Sequence, residues 1–490
     1  MAAPAMHESL GELNGGGATP PHALFIPSAG MGHLMPTFRV IAGLSRQGID
    51  ISVVTVLPTV SAAETNYFNG LFADYPTIGR VDMHLLPLDA SEFRNEDPFF
   101  LRWEALRRSV VHLLGPIITG ASPPITAIIT DITLTSCVIP IAKELGLPCH
   151  VLFPTAATML AVNAYFPIYL DQLNNMAGPA AGVVGDVDVP GVFCVPRSSL
   201  PPPLLDVNKL FTKQFIENSR EITKADGVLV NTFDAVEPAP LAALRGGRIV
   251  PGYPPVYTIG PLKPHVIPKA GEKAAQKGRD GSLVDEWLGQ QPARSVVYVS
   301  FGNRSAARLD QIREIAAGLE ASGYRFLWVL KTTKVDREDD AELADVLGDG
   351  YLERVQGRGL VTKGWVEQEA LLKHPAMGMF LSHGGWNSAL EAACSGVPLL
   401  VWPQLGDHRV NAMGAVRAGI GAWAEHWGWD GEERLVTGEE IAEKVKDVMA
   451  DAALRESVAV ARQEAAKAVA EGGTSYRNMH EFVGKIKKGA

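Results

Sequence analysis

The feature that most constrains this chain stands near its start. An apolar run of strand length at residues 23–27 meets a glycine turn. A helical stretch from about His33 to Arg46 follows, Gly48 closes it, and a second strand-length run at 51–56 begins at once. Two strands joined by a helix within about 35 residues lie parallel, since a crossover of that length returns the chain in the same direction.

The same grammar recurs. Residues 127–130 read as a strand, 136–144 as a helix capped by Gly146, 149–153 as a strand and 227–231 as another, which predicts a doubly wound α/β domain over 22–255. The stretch 252–280 is rich in proline and mixed charge, and a linker is expected over 256–289. The alternation then restarts, with strands at 295–300, 326–330, 359–362, 377–381 and 398–402 and helices at 310–322 and 387–395. A second parallel-sheet domain is expected over 290–470, followed by a helical tail at 471–490.

Composition narrows the function. With 44 Lys+Arg against 54 Asp+Glu, a net charge of -10 and no basic block, the chain lacks the clustered cations that phosphate-backbone binding requires, so no nucleic acid is expected. Its four cysteines, Cys137, Cys149, Cys194 and Cys394, show no C-x-x-C spacing, and no metal or other cofactor is expected. Residues 1–21 lack both a basic and an apolar signal region and read as a disordered leader; no uncharged apolar run is long enough to span a bilayer. A monomeric cytoplasmic protein acting on small molecules is the expectation.

Two turns carry chemistry. Ser382-His383-Gly384-Gly385-Trp386-Asn387-Ser388 joins a strand to a helix, and its glycines and unpaired helix-start N–H groups suit a phosphate. It is not a P-loop, having no lysine there. The first turn, Ser28-Ala29-Gly30-Met31-Gly32-His33, has Met35 where a dinucleotide fingerprint needs its third glycine, and the next strand carries no acid, so NAD is disfavoured. His33 instead stands where a helix begins at the carboxyl edge of a parallel strand, and Asp131 ends a strand on that same edge. A carboxylate on one imidazole nitrogen fixes the tautomer and frees the other to take a proton, making the pair a candidate general-base dyad. Asp186-Val187-Asp188 reads as exposed loop rather than a metal site.

From Trp365 to His408, the run Trp365-Val366-Glu367-Gln368, the His383 turn, Glu391, Trp402-Pro403 and Asp407-His408 closely resembles the signature box of plant secondary-product glycosyltransferases. The resemblance covers nearly all of the chain after residue 20. It implies a GT-B fold, two doubly wound Rossmann-like domains facing a cleft, and a metal-free enzyme that takes a UDP-sugar as co-substrate. By resemblance, Trp365 stacks on uracil beside Val366, Gln368 and Glu391 hold ribose, and His383, Asn387 and Ser388 hold the diphosphate. Trp386 and Asp407 contact the sugar, with Ser305 and Thr155 as further contacts.

The box ordinarily ends in glutamine and here ends in His408, which offers a sugar a different shape and fewer groups, so glucose does not follow automatically. Asp131-Ile132-Thr133 and Asp97-Pro98-Phe99-Phe100-Leu101-Arg102 resemble the flavonoid C-glycosyltransferases, implying 2-hydroxyflavanone or dihydrochalcone acceptors. Phe93, Phe99, Phe100, Trp103, Tyr165 and Phe166 are the expected walls of the phenolic acceptor pocket. An O-glycosyltransferase using the same residues, and a non-catalytic nucleotide-sugar-binding protein with no need of His33, are the alternatives.

Overall fold

The computed structural model describes residues 20–59, 61–93, 96–177, 184–262, 272–302, 306–333, 341–364, 366–428 and 434–488. The first half supplies β1 (His22–Ile26), β2 (Asp50–Leu57), β3 (Gly79–His84), β4 (Ala127–Asp131) and β5 (Cys149–Phe153). After a two-stranded hairpin, β6 (Val187–Asp188) and β7 (Cys194–Val195), come β8 (Gly227–Val230) and β9 (Val256–Thr258). The second half supplies β10 (Val296–Ser300), β11 (Arg325–Val329), β12 (Gly359–Thr362), β13 (Met377–Ser382), β14 (Leu399–Val401) and β15 (Gly421–Trp423).

They form a seven-stranded sheet of order β3-β2-β1-β4-β5-β8-β9 and a six-stranded sheet of order β12-β11-β10-β13-β14-β15. Every ladder within both is parallel. The central strands β1, β4, β5, β10 and β13 are buried along their whole length, because helices cover both faces; this is why they read as unbroken apolar runs.

The strand order reverses once in each sheet. From β1 the chain winds outward through β2 and β3, then returns to β1's other side as β4; β10 and β13 repeat the arrangement. At such a reversal the connections leave in opposite directions and open a crevice beyond the strand ends, where doubly wound sheets take ligands. His33 and Asp131 lie at the first reversal. Gly302, just beyond β10, and the His383 turn lie at the second.

Two boundaries differ from the sequence reading. Residues 256–258, assigned there to the linker, are the edge strand β9, paired with β8. The linker also contains the helix Glu272–Gly289. The C-terminal helix Thr474–Lys488 is not a separate tail: it packs on β9, burying Phe482 and giving the Asn478 Nδ2 proton to the Thr258 carbonyl oxygen at 3.1 Å. Halfway along, the helices Ala157–Ala177 and His408–Arg417 meet across the two halves, close enough that a Cβ on Gly414 would stand 3.5 Å from Thr158 Oγ1. No described helix is long and apolar enough to cross a membrane.

Candidate active site

The carboxyl ends of both sheets line one cavity of about 1890 Å³. On the first half, Gly30 adopts φ 100°, a conformation that favours glycine, and donates its N–H to Glu64 Oε1 at 2.6 Å; the helix Met31–Leu44 starts immediately after it and carries His33 in its first turn. Since β1 and β4 are neighbours, with Ile26 paired to Thr130, the next residue of β4's carboxyl end faces that turn. His33 Nδ1 lies 2.8 Å from Asp131 Oδ2. The Asp131 side chain is 0% exposed and that of His33 20%.

Asp131 Oδ1 is committed elsewhere, accepting from the Thr133 N–H at 2.9 Å and from Thr133 Oγ1 at 2.7 Å. The carboxylate is therefore locked in one orientation and asks the imidazole for its Nδ1 proton. That leaves Nε2 as the basic nitrogen.

An aromatic wall stands beside the dyad. Asp97 caps the helix Pro98–Thr119, accepting from the Phe99 N–H at 2.8 Å, and Pro98 at the first helical position needs no partner for a missing N–H. That helix start presents Phe99, Phe100 and Trp103, whose ring centroids lie 5.0 Å (Phe99 to Trp103) and 5.7 Å (Phe100 to Trp103) apart. Trp103 meets the His33 ring edge-on at 5.7 Å, and Phe211 closes on Phe100 at 4.8 Å. All four aromatics line the cavity.

The other expected walls do not. Phe166 is 0% exposed and packs against Tyr169 and Phe215 inside the core. Tyr165 turns its hydroxyl to Gln172, and Phe93 lies under the Arg108 guanidinium; neither lines the cavity. Aromatic residues near a strand end are as readily core as wall, and only packing separates the two.

On the second half, β13 ends at Ser382 and the His383 turn opens the helix Trp386–Ser395, whose N-terminus has no side-chain cap. Its first N–H groups remain available at the cavity. The turn needs its glycines: Gly384 has φ +86°, and a Cβ there would stand 2.6 Å from Val401 Cγ1. A Cβ on Gly385 would stand 2.5 Å from His383 Nε2. Burial, and after it the neighbouring His408, push the His383 imidazole down to about 3, so the ring is neutral at pH 7.

The rest of the box converges here too. Gln368 Nε2 donates to Glu391 Oε2 at 2.8 Å and to Ser388 Oγ at 3.0 Å, and Gln368 Oε1 accepts from the Tyr298 hydroxyl at 3.2 Å. Val366 and Asn387 line the same cavity. Trp386 does as well, but it is buried and its indole N–H is given to the Asn231 carbonyl oxygen at 2.8 Å, so that N–H is not offered to a sugar. His408 Nδ1 accepts from the Leu405 N–H at 3.2 Å, which puts the ring proton of the neutral form on Nε2. Its ring meets that of His383 edge-on at 4.8 Å. Trp365 and Ser305 lie outside the described residues.

Contacts across the cleft join the two halves. Thr155 Oγ1, just beyond β5, donates to Asp407 Oδ2 at 2.6 Å; Asn231 Nδ2, just beyond β8, donates to Asn387 Oδ1 at 3.0 Å. Arg39 meets Glu391 Oε1 at 3.0 Å. Glu237 is buried and takes the Ala157 N–H at 2.8 Å, the Thr158 N–H at 2.8 Å and Thr158 Oγ1 at 2.7 Å, so it holds the segment that presents Thr155. Of these, Arg39, Asn231, Glu237 and Tyr298 carry no sequence signal: each is a single polar residue beside an apolar stretch.

Residues 247–461 match the family described as "UDP-glucoronosyl and UDP-glucosyl transferase". The chain is 55% identical over 464 residues, 94% of its own length and 95% of the relative's, to UDP-glycosyltransferase CGT of Oryza sativa subsp. japonica. The crystal structure of LpCGTa in complex with UDP superposes with a TM-score of 0.81 at 42% identity, covering 95% of this chain and 99% of that one. Phytolacca americana UGT2, complexed with UDP-2fluoro-glucose and pterostilbene, gives a TM-score of 0.78 at 26% identity over 96% of this chain and 100% of that one.

Proposed function

The chain belongs to the plant family 1 UDP-glycosyltransferases and uses a UDP-sugar, and from that premise we propose that it C-glycosylates the A-ring of flavonoids such as 2-hydroxyflavanones or dihydrochalcones, with inversion at the sugar. The observation that carries the reading is the 2.8 Å His33–Asp131 pair at one mouth of a cavity whose other mouth is the His383 turn.

His33 Nε2 removes a phenolic proton. Charge spreads from the oxygen to the ring carbon between two hydroxyl-bearing carbons, and that carbon attacks the anomeric carbon opposite the leaving group. A carbon–carbon bond forms as the bond from the anomeric carbon to the UDP oxygen breaks. The ring then loses its own C–H proton and becomes aromatic again, while His33 returns the first proton to the phenolic oxygen, so the imidazole is neutral once more and one proton is released for each sugar moved. A well-placed base supplies about 10² to 10⁴ in rate.

On the donor side, Trp365 and Val366 take uracil, Gln368 and Glu391 the ribose, and His383, Asn387, Ser388 and the free helix N–H groups the diphosphate, where negative charge grows as the bond breaks. Asp407, with Thr155 and His408, faces the sugar, and Ser305 is the further donor contact that the resemblance implies. Phe99, Phe100, Trp103 and Phe211 supply a flat apolar surface for the acceptor's rings.

C-linkage draws support from Asp131-Ile132-Thr133, where Thr133 locks the carboxylate, and from the resemblance to relatives carrying the CGT name. Incubation with a panel of UDP-sugars and both acceptor types tests it. A C-linked product survives acid that cleaves O-glycosides and shows a direct bond from sugar to ring by NMR. Recovery of intact aglycone and free sugar from all of the product would instead establish O-transfer.

A further inference from the structure

We propose that Arg39 is a positioning residue for the donor: it aims the Glu391 carboxylate at the ribose, and so ties the grip on the nucleotide to the helix that carries the catalytic base. The inference rests on the reading in which Glu391 holds the ribose. Arg39 belongs to the helix Met31–Leu44 of the first half, six residues after His33, roughly 9 Å along the axis. Its partner stands on the helix Trp386–Ser395 of the second half.

The geometry fits orientation better than stability. Arg39 and Glu391 meet at 3.0 Å with side chains only 9% and 10% exposed. Burying two ions is costly, and apolar residues of the same size would hold such an interface as well or better. The guanidinium is not even fully used, since its Nε is buried without a hydrogen-bond partner among the described residues. A second acid, Glu369, lies 3.9 Å from Arg39 and is itself paired with Lys373 at 2.7 Å. The Tyr67 hydroxyl from the neighbouring helix Ala62–Asp74 and the Cys394 thiol also lie near the pair; burial pushes Tyr67 up to about 12 and raises Cys394, so both stay uncharged. Arg39 therefore faces Glu391 as its near counter-charge.

The carboxylate's bonding explains what this arrangement does. An ionised carboxylate offers about four lone-pair sites. Arg39 occupies one on Oε1 and Gln368 one on Oε2, which leaves one on each oxygen for a pair of vicinal hydroxyls. Charge points the same way. A nucleoside diphosphate brings two to three negative charges into a cavity that already holds Glu391. Among the described cations lining that cavity, Arg39, Lys331 and Lys373, Arg39 is the one in contact with Glu391, its side chain only 9% exposed. Without it, Glu391 would be an uncompensated anion beside a second anion, and would turn toward solvent.

The test uses the full chain with UDP as the probe. UDP affinity by calorimetry and the KM values for UDP-sugar and acceptor are measured for wild type, Arg39→Ala, Arg39→Lys, Glu391→Gln and the double variant Arg39→Ala/Glu391→Gln, with melting temperatures alongside. Arg39→Ala should weaken UDP binding and raise the UDP-sugar KM at least about tenfold, as for a partner removed from a buried charge pair, while the acceptor KM stays within about twofold. Arg39→Lys should recover part of the loss. In the Glu391→Gln background, Arg39→Ala should add less than about a factor of two, since residues acting through one another are not additive. Should Arg39→Ala fail to fold, Arg39→Met keeps the stem and carries the same comparison. Unchanged UDP affinity in Arg39→Ala beside a weakened Glu391→Gln overturns the inference alone. Wild-type affinity in Glu391→Gln overturns the ribose reading and the inference with it.

Discussion

Replacing Asp131 by asparagine separates the charge of the dyad from its shape, and the structure determines which way the new amide faces. Asp131 Oδ1 accepts two bonds from Thr133, at 2.9 and 2.7 Å. An amide nitrogen there would strand both donors, so the asparagine oxygen takes that place and the NH2 takes the place of Oδ2, 2.8 Å from His33 Nδ1. An NH2 group donates. Nδ1 must then accept, the ring proton moves to Nε2, and the nitrogen facing the acceptor can no longer remove a proton.

The whole general-base contribution is lost, about 10² to 10⁴ in kcat, equivalent to roughly 3 to 5 kcal/mol of barrier. A buried Asp-to-Asn change beside a catalytic histidine has an effect of that size in serine proteases, for the same reason of tautomer. Both Thr133 bonds survive, so the fold and the donor half remain intact. The assay is steady-state turnover of a phenolic acceptor between pH 6 and 10, with UDP affinity measured by calorimetry. The deficit should be largest near neutral pH and shrink as the acceptor's own phenol, with a pKa near 10 when unperturbed, ionises without help. Asp131→Asn turnover within about fivefold of wild type at pH 7, with normal UDP binding, would refute the reasoning.

Other substitutions test other parts. His408→Gln exchanges a ring that presents one N–H for an amide that can donate and accept, so the ranking of UDP-glucose, UDP-galactose and a UDP-pentose in kcat/KM should shift by about 1 to 2 kcal/mol; identical rankings would show that this position does not read the sugar. Glu237→Ala leaves three donors of residues 157 and 158 without their acceptor, and should cost about 3 kcal/mol or more in urea unfolding, while Glu237→Gln costs less. His150, buried edge-on to Phe482 between Asp226 and Lys485, is pushed down by burial from 6.5 to about 4. The unfolded chain takes up that proton near pH 6.5 and the folded chain only near pH 4. Its contribution is therefore full above pH 6.5 and falls by about 3 kcal/mol as pH drops to 4, and urea unfolding of His150→Leu should lack that part of the pH dependence.

What the sequence disclosed and what it withheld follow from burial. Central strands such as 23–26 and 149–153 are covered on both faces, so their apolar runs announce them. Edge strands do not: β3 carries Arg80 and Asp82 on its open side, and β9 is only Val256–Thr258 among prolines. The His33–Asp131 pair was legible across 98 residues because one opens the helix that follows β1 and the other ends β4, on the same sheet edge. Arg39 and Glu391 are 352 residues apart, on helices of different halves, and no local pattern connects them. Phe99 and Phe166 look alike in sequence, yet one follows an Asp-Pro helix start at the cavity while the other lies on the inner face of the helix Ala157–Ala177.

The two halves are joined by two unlike kinds of contact, and the difference bears on how the enzyme works. Away from the cavity, Leu160, Ala164, Val410 and Met413 share one continuous apolar cluster across the helices Ala157–Ala177 and His408–Arg417, a contact that water cannot replace cheaply. At the cavity the joins are polar: Thr155 to Asp407, Asn231 to Asn387 and to the Trp386 indole, and Arg39 to Glu391. The neutral Asn231–Asn387 pair is worth only about 0.5 to 1.5 kcal/mol net and the bonds to charged groups about 1.5 to 3 kcal/mol, because water or a ligand hydroxyl can take either side. A UDP-sugar that takes up the remaining valences of Asp407, Asn387 and Glu391 thus binds beside the cross-cleft bonds, on groups those bonds orient, without disturbing the apolar seam. Breaking the seam should consequently be felt as lost stability, and breaking a polar pair as altered donor affinity. A Met413→Ala variant that lowered UDP affinity at unchanged melting temperature would contradict this division.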